Sequence, residues 1–172
     1  IALYYISQLN DRRSYIEYEL KNLKEIESYY GRKSSEYCKT TTDIANIMSL
    51  YGHSKDLTML YDSISVRSHI DFYGFNSVEY VLSVLNQMAH AKKYHKYDYF
   101  WKSAKSIENI INNYSDSIQR DYFNLLGQVC SIQGKNGRAI RMYDNALQKC
   151  VTYQERCSIV INLALLHINE GN

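Results

Sequence analysis

Proline is absent from all 172 residues, so no pyrrolidine ring breaks or kinks a helix anywhere along the chain. No apolar run approaches the ~20 residues that a membrane-crossing helix requires, and no membrane span is expected. Cys38, Cys130, Cys150 and Cys157 contain no CxxC pair and no zinc-type spacing. His53, His69, His90, His95 and His167 are scattered, and His90 and His95, five apart, do not share a helix face. Neither phosphate-binding glycine pattern occurs, so GKNG at 134–137 reads as a turn. On these grounds no metal and no cofactor is expected. An excess of charge of either sign is missing too: 20 basic against 18 acidic residues leave +2. That balance does not favour nucleic acid or an anionic membrane as partner. The chain opens at Ile1 without methionine, a basic n-region or an apolar h-region. We expect a piece of a longer polypeptide, cytoplasmic, with an exported context as the alternative.

What is present is an ordinary globular balance, 45% hydrophobic and 22% charged, with 18 tyrosines. Tyrosine supplies a large apolar body and a polar tip, useful where packing surfaces stay partly wet. Cys130 falls at an apolar helical position, where a thiol acts as a small core hydrophobe. Cys150 and Cys157 flank a predicted turn, where reduced thiols or a disulfide would both fit.

The apolar period is helical almost throughout. Tyr122, Phe123, Leu126, Val129, Cys130 and Ile132 form one stripe, QGKNG at 133–137 interrupts it, and Ala139, Ile140, Tyr143, Ala146 and Leu147 resume it. This predicts two antiparallel helices. Gly127, Ala139 and Ala146 allow them to approach closely, and Tyr143 fills the space between. The spacings of seven, five, four and three along Gly127, Gly134, Ala139, Tyr143 and Ala146 recur along Ala45, Gly52, Leu57, Tyr61 and Ile64. A copy without glycine in its turn runs from Leu85, Met88 and Ala89 to Phe100, Trp101, Ala104 and Ile107. Tyr30-Gly31 with Glu36-Tyr37 returns 43 residues later as Tyr73-Gly74 with Glu79-Tyr80. Anchors at Ala45, Ala89, Gly127 and Ala164 give repeats of 44, 38 and 37 residues. About nine helices are expected, at 2–9, 13–29, 34–50, 54–70, 76–93, 97–113, 117–133, 137–150 and 154–169, with no strand. They group into pairs at roughly 1–30, 34–70, 76–113 and 117–150, with an incomplete pair at 154–172, in one all-α domain.

The run Phe123, Leu126-Gly127, Cys130, Gly134, Ala139, Tyr143, Ala146 resembles the tetratricopeptide repeat (TPR) family. The 37–44 residue spacing is similar to the long repeats of kinesin light chain type. The proline that such repeats often carry at their ends is missing. The resemblance implies a right-handed α-solenoid of antiparallel helix pairs whose first helices line a concave groove for a protein or peptide partner. The step from fold to function is one of analogy.

A first helix packs with one stripe and leaves a neighbouring one free. With Phe123, Leu126, Gly127 and Cys130 inward, the free stripe is Asn124, Gln128 and Ser131. Carried to the other repeats it reads Lys39, Thr42, Asn46 and Ser49, then Ser83, Asn86, His90 and Lys93, then Ile161 and Leu165. Amide side chains offer both donors and acceptors to the backbone of an extended peptide. The carboxylate clamps found in the family need cations on three successive first helices. Only Lys39, His90 and Lys93 are basic here, and Asp121 stands where a cation would be wanted, so that variant does not match.

Other groupings read as structure. KKYHKYDYFWKSAK at 92–105 interleaves lysines with aromatics, as a single-strand nucleic-acid grip does, but also as a lysine-rich turn before an inward aromatic stripe does. Cys157 and Ser158 have no histidine at a motif spacing. Glu25 with Glu27, and Asp116 with Asp121, suit solvated helix faces or first turns better than an acid–base pair. The expected function is a non-catalytic scaffold binding a protein or peptide. The alternatives are a sensing region of a bacterial signalling or transcription regulator, and an all-helical enzyme.

Overall fold

The structure is a computed structural model in which residues 12–51 and 54–169 are described. Among them are eight α-helices, one 3-10 turn and no strand. The helices are α1 (Arg12–Tyr30), α2 (Ser35–Leu50), α3 (Lys55–Tyr73), α4 (Val78–Lys93), α5 (Tyr97–Ile107), α6 (Asp116–Ile132), α7 (Asn136–Gln148) and α8 (Tyr153–Asn169), with the 3-10 turn at Ile111–Asn113 before α6. The helix expected at 2–9 and the turn glycines Gly52 and Gly171 lie outside the described residues. Packing divides the chain into two compact units, Ile1–His90 and Ala91–Asn172.

In the first unit, α2 packs on both α1 and α3. Ile16, Leu23, Tyr37, Ile44 and Met48 form the buried core, with Leu20, Ile26, Tyr61 and Ile64 against it. The 43-residue echo is a repeated piece of turn chemistry. Gly31 and Gly74 end α1 and α3 with φ of 77° and 89°, a region that glycine enters without steric penalty. Three residues on, Ser34 and Ser77 each donate to the carbonyl of that glycine, at 2.8 and 2.9 Å. Each serine oxygen also accepts from the amide three residues further, of Tyr37 and Tyr80. Both tyrosines are buried, so the cap and the core anchor arrive together.

The inward face of α3 departs from expectation. Tyr61 and Ile64 pack against the core, but Leu57, at the matching place in the repeat, is exposed, and the fully buried positions are Thr58, Asp62, Ser65, Ser68 and His69. The buried face extends one residue beyond the apolar stripe, and that added row is polar. Each group has a partner: Ser65 Oγ lies 2.6 Å from Thr42 Oγ1 on α2, Thr58 donates to Ser54 O, and His69 Nδ1 donates to Ser65 O at 2.7 Å. No buried side-chain nitrogen or oxygen among the described residues is unsatisfied, which is why this seam tolerates burial.

In the second unit, α6 and α7 form the tightest hairpin, and α8 packs on both. Cys130, Ala139, Tyr143 and Ala146 are essentially inaccessible. A Cβ at Gly127 would stand 2.7 Å from both Cδ1 and Cε1 of Tyr143. The glycine is therefore there for closeness, not for backbone freedom. Gly134 is the reverse case: at φ 70° it ends α6 in a Schellman turn, with Lys135 N donating to Cys130 O and Gly134 N to Ser131 O. The copy without glycine uses the same motif. Lys96 N donates to Ala91 O, His95 N to Lys92 O, and His95 takes φ 56°.

The helix expected at 97–113 stops at Ile107. Glu108-Asn109-Ile110-Ile111-Asn112-Asn113 joins asparagines to β-branched residues, a poor helical composition. The chain tightens to bonds three residues apart, Ile110 N to Ile107 O and Asn113 N to Ile110 O, which still buries Ile111. Buried Gln119 ties this turn to α6 by donating to Tyr114 O at 2.8 Å.

At the start of α8, Thr152 and Glu155 make a reciprocal cap. Thr152 Oγ1 accepts from Glu155 N, and Glu155 Oε2 accepts from the amides of Thr152 and Val151 at 3.0 and 2.9 Å. These amide bonds, with Arg120 nearby, hold the Glu155 carboxyl at about 2, below its usual 4.5. A depressed acid stabilises the fold above its unfolded value and loses that contribution as pH falls from about 4.5 toward 2. Carboxyl-carbon NMR is expected to give Glu155 a midpoint near 2, moving upward in Thr152→Ala as the cap loosens. An unchanged midpoint in that variant would refute the cap.

Candidate functional site

The amides of the predicted stripe bond to one another. In the first unit, Asn86 Nδ2 on α4 donates to Asn46 Oδ1 on α2 at 2.6 Å, across 40 residues of sequence. Both side chains are half-buried. This bond uses one donor of Asn86 and one acceptor of Asn46, and each amide has further hydrogen-bonding capacity. Around them, Lys39 is exposed and Thr42 is half-buried, donating back to Cys38 O at 3.0 Å.

Ser83 and His90, expected on the free stripe, are buried, as is Ser49. Ser83 donates to Tyr80 O within its own helix at 2.7 Å. His90 Nδ1 lies 2.9 and 3.0 Å from the two carboxylate oxygens of Asp62 on α3. Asp62 is 2% exposed. Burial pushes its carboxyl above the ordinary range, and the His90 hydrogen bond and charge pull it back down. His90 is thus taken up by a helix–helix contact, because a buried carboxylate needs a donor more than the face needs a cation.

In the second unit the row begins at Lys92, whose ammonium donates to Gln128 Oε1 on α6. Gln128 Nε2 donates to Asn124 Oδ1, which also accepts from Asn162 Nδ2 on α8, both at 3.4 Å. Partial burial lowers the Lys92 pKa. Asn124, Gln128 and Ser131 are half-buried. Lys93 is exposed, with its ammonium 5.8 Å from the Tyr94 ring centre. Sequence reasoning missed Lys92 and Asn162. The second was findable, since Asn162 lies 38 residues from Asn124, close to the 40 that separate Asn46 from Asn86. Ile161 and Leu165, assigned to this stripe, are exposed at 58% and 54%, on the far side of α8 from its buried Ile159 and Leu166.

Each unit therefore carries the same device: an amide on one first helix bonded to an amide at the matching place on the next. Such a surface can offer directional donors and acceptors. Among the described residues, no three His, Cys, Asp or Glu side chains gather as metal ligands would. All four cysteines are free thiols in this structure, and Cys150 Sγ donates to Ala146 O at 3.4 Å. No helix among the described residues is long and apolar enough to cross a membrane. No protein-family model matches this sequence, and a search of curated proteins finds no match.

Proposed function

We propose that the chain is a non-catalytic scaffold of TPR-like helix pairs, stacked as an α-solenoid, that binds an extended segment of a partner protein along its first helices. The observation that supports this reading is the bridging of successive first helices by half-buried amides at near-repeat separations, Asn46 with Asn86 and Asn124 with Asn162. An amide that must serve only as a solvated surface residue has no reason to recur at that spacing. One held in place by its neighbour presents its remaining donor or acceptor in a fixed direction to a peptide backbone. A cytoplasmic location is part of the same proposal, and free thiols at Cys38, Cys130, Cys150 and Cys157 suit a reducing compartment.

Asn86→Ala, Asn124→Ala and Gln128→Ala combined should release the partner while leaving circular dichroism unchanged. The measurement is affinity capture from the protein's own cells, with wild-type and triple-variant baits compared side by side. Equal recovery of the same partners by both baits would place binding on another surface.

A further inference from the structure

We propose that a groove between α5 and the α6–α7 hairpin is a second binding site, for an acidic peptide whose carboxylate sits between Arg138 and Lys105 beside the Trp101 ring. The groove encloses about 340 Å³, at the small end of ligand-sized cavities and enough for one or two side chains. Its floor is apolar and closed: Ala104, Tyr122 and Leu126 are each at most 5% exposed. Tyr122 turns its hydroxyl away into the backbone, donating to Ala104 O at 3.3 Å.

The rim is positively charged and held in place. Trp101 Nε1 donates to Gln133 Oε1 at 3.3 Å, and Lys135 Nζ donates to the same oxygen at 2.9 Å. The Arg138 guanidinium lies 4.8 Å from the Trp101 ring centre and the Lys135 ammonium 5.8 Å. Contact with the ring restrains the guanidinium, so less freedom is lost when its edge donors meet an oxyanion. Neither Lys105 nor Arg138 has an ion-pair partner among the described residues. Three cations thus face one carboxylate, Glu108. The first turn of α7 adds to the imbalance, with no acidic residue and no side-chain cap against the positive helix end.

A carboxylate fits this charge better than a phosphate, because Glu108 on the same rim repels a doubly charged group more strongly. The aromatic wall and apolar floor suit a hydrophobic residue beside the acidic one. The site stands apart from the amide row and does not depend on it.

Trp101 is the only tryptophan, so its emission reports on the groove directly. The probe is an acetylated, amidated hexapeptide, Asp-Phe-Glu-Asp-Leu-Glu, titrated into the full chain at low salt. The expected result is a saturable emission change with sub-millimolar affinity, weakened by added salt and by at least about tenfold in Arg138→Glu. Should Arg138→Glu fail to fold, Lys105→Glu on the exposed flank of α5 serves the same purpose. The triple amide variant is expected to respond as wild type. No saturable change at millimolar peptide, an equal response to a lysine-rich hexapeptide, or unaltered binding in the charge-reversed variant would overturn the proposal. So would tighter binding of a phosphoserine version, or loss of the response in the triple amide variant.

Discussion

Gly127→Leu is expected to lower stability by about 1–3 kcal/mol or more, the range seen when side-chain volume is forced into a filled core. The first carbon of any side chain there already meets the Tyr143 ring at 2.7 Å. The ring has nowhere to retreat, since Tyr143 is 2% exposed and is packed with Cys130, Ala139 and Ala146, all at 0%. Leucine adds three carbons beyond that point, so the α6–α7 hairpin must open or tilt. Gly127→Ala should cost less than leucine does, because it adds only the Cβ while gaining a similar helix propensity of about 1 kcal/mol over glycine. The contact can be isolated by a cycle with Tyr143→Ala, which vacates the space. Gly127→Leu should be better tolerated in that background than alone. Urea denaturation of the four proteins provides the measurement, and additive effects of the two changes would show that the ring and the glycine do not meet.

His90→Leu is expected to be the more damaging change, at about 3–5 kcal/mol, the cost of leaving a buried carboxylate without its donor. Asp62, at 2% exposure, would lose the donor that both its oxygens share. Combining it with Asp62→Val removes the orphaned carboxyl, and the double variant should recover most of the loss, since apolar groups of similar size replace buried pairs well. The pH dependence follows from the raised Asp62 pKa. A carboxyl that holds its proton more tightly when folded supports the fold in acid, and that support fades as pH rises through its folded pKa. Without His90 the folded pKa moves further up. The deficit of His90→Leu should therefore be smallest near pH 4 and grow toward neutrality, by denaturant titration at each pH. A deficit independent of pH would mean that Asp62 is not the group left unpaired.

The helix bounds read from the sequence lie within three residues of those observed for all described helices except α5. The reason is local: capping serines, turn glycines and the 3.6-residue stripe act over one or two turns, and each is visible in the residues themselves. The α6–α7 contact was equally legible, because small residues opposite one large one leave a single way to pack. Where α5 ends was less so. Its last residues could continue helical or tighten, and burial of Ile111 favours the tighter path.

The candidate surface divides differently. Which positions form a stripe along a first helix follows from periodicity, and Asn46, Asn86, Asn124 and Gln128 do lie half-buried and bonded together within their units. Which members of that stripe stay open to a partner depends on what the facing helix brings. Asp62, 28 residues before His90, draws the imidazole inward, and Lys92 reaches 36 residues forward to Gln128. No local pattern announces such pairings, because hydrogen bonds and charges between distant residues are chosen by proximity in space. Helices, their caps and the close hairpin thus belong to the order of residues, while the polar interior of α3, the burial of His90 and the cationic rim beside Trp101 exist only once the helices have met.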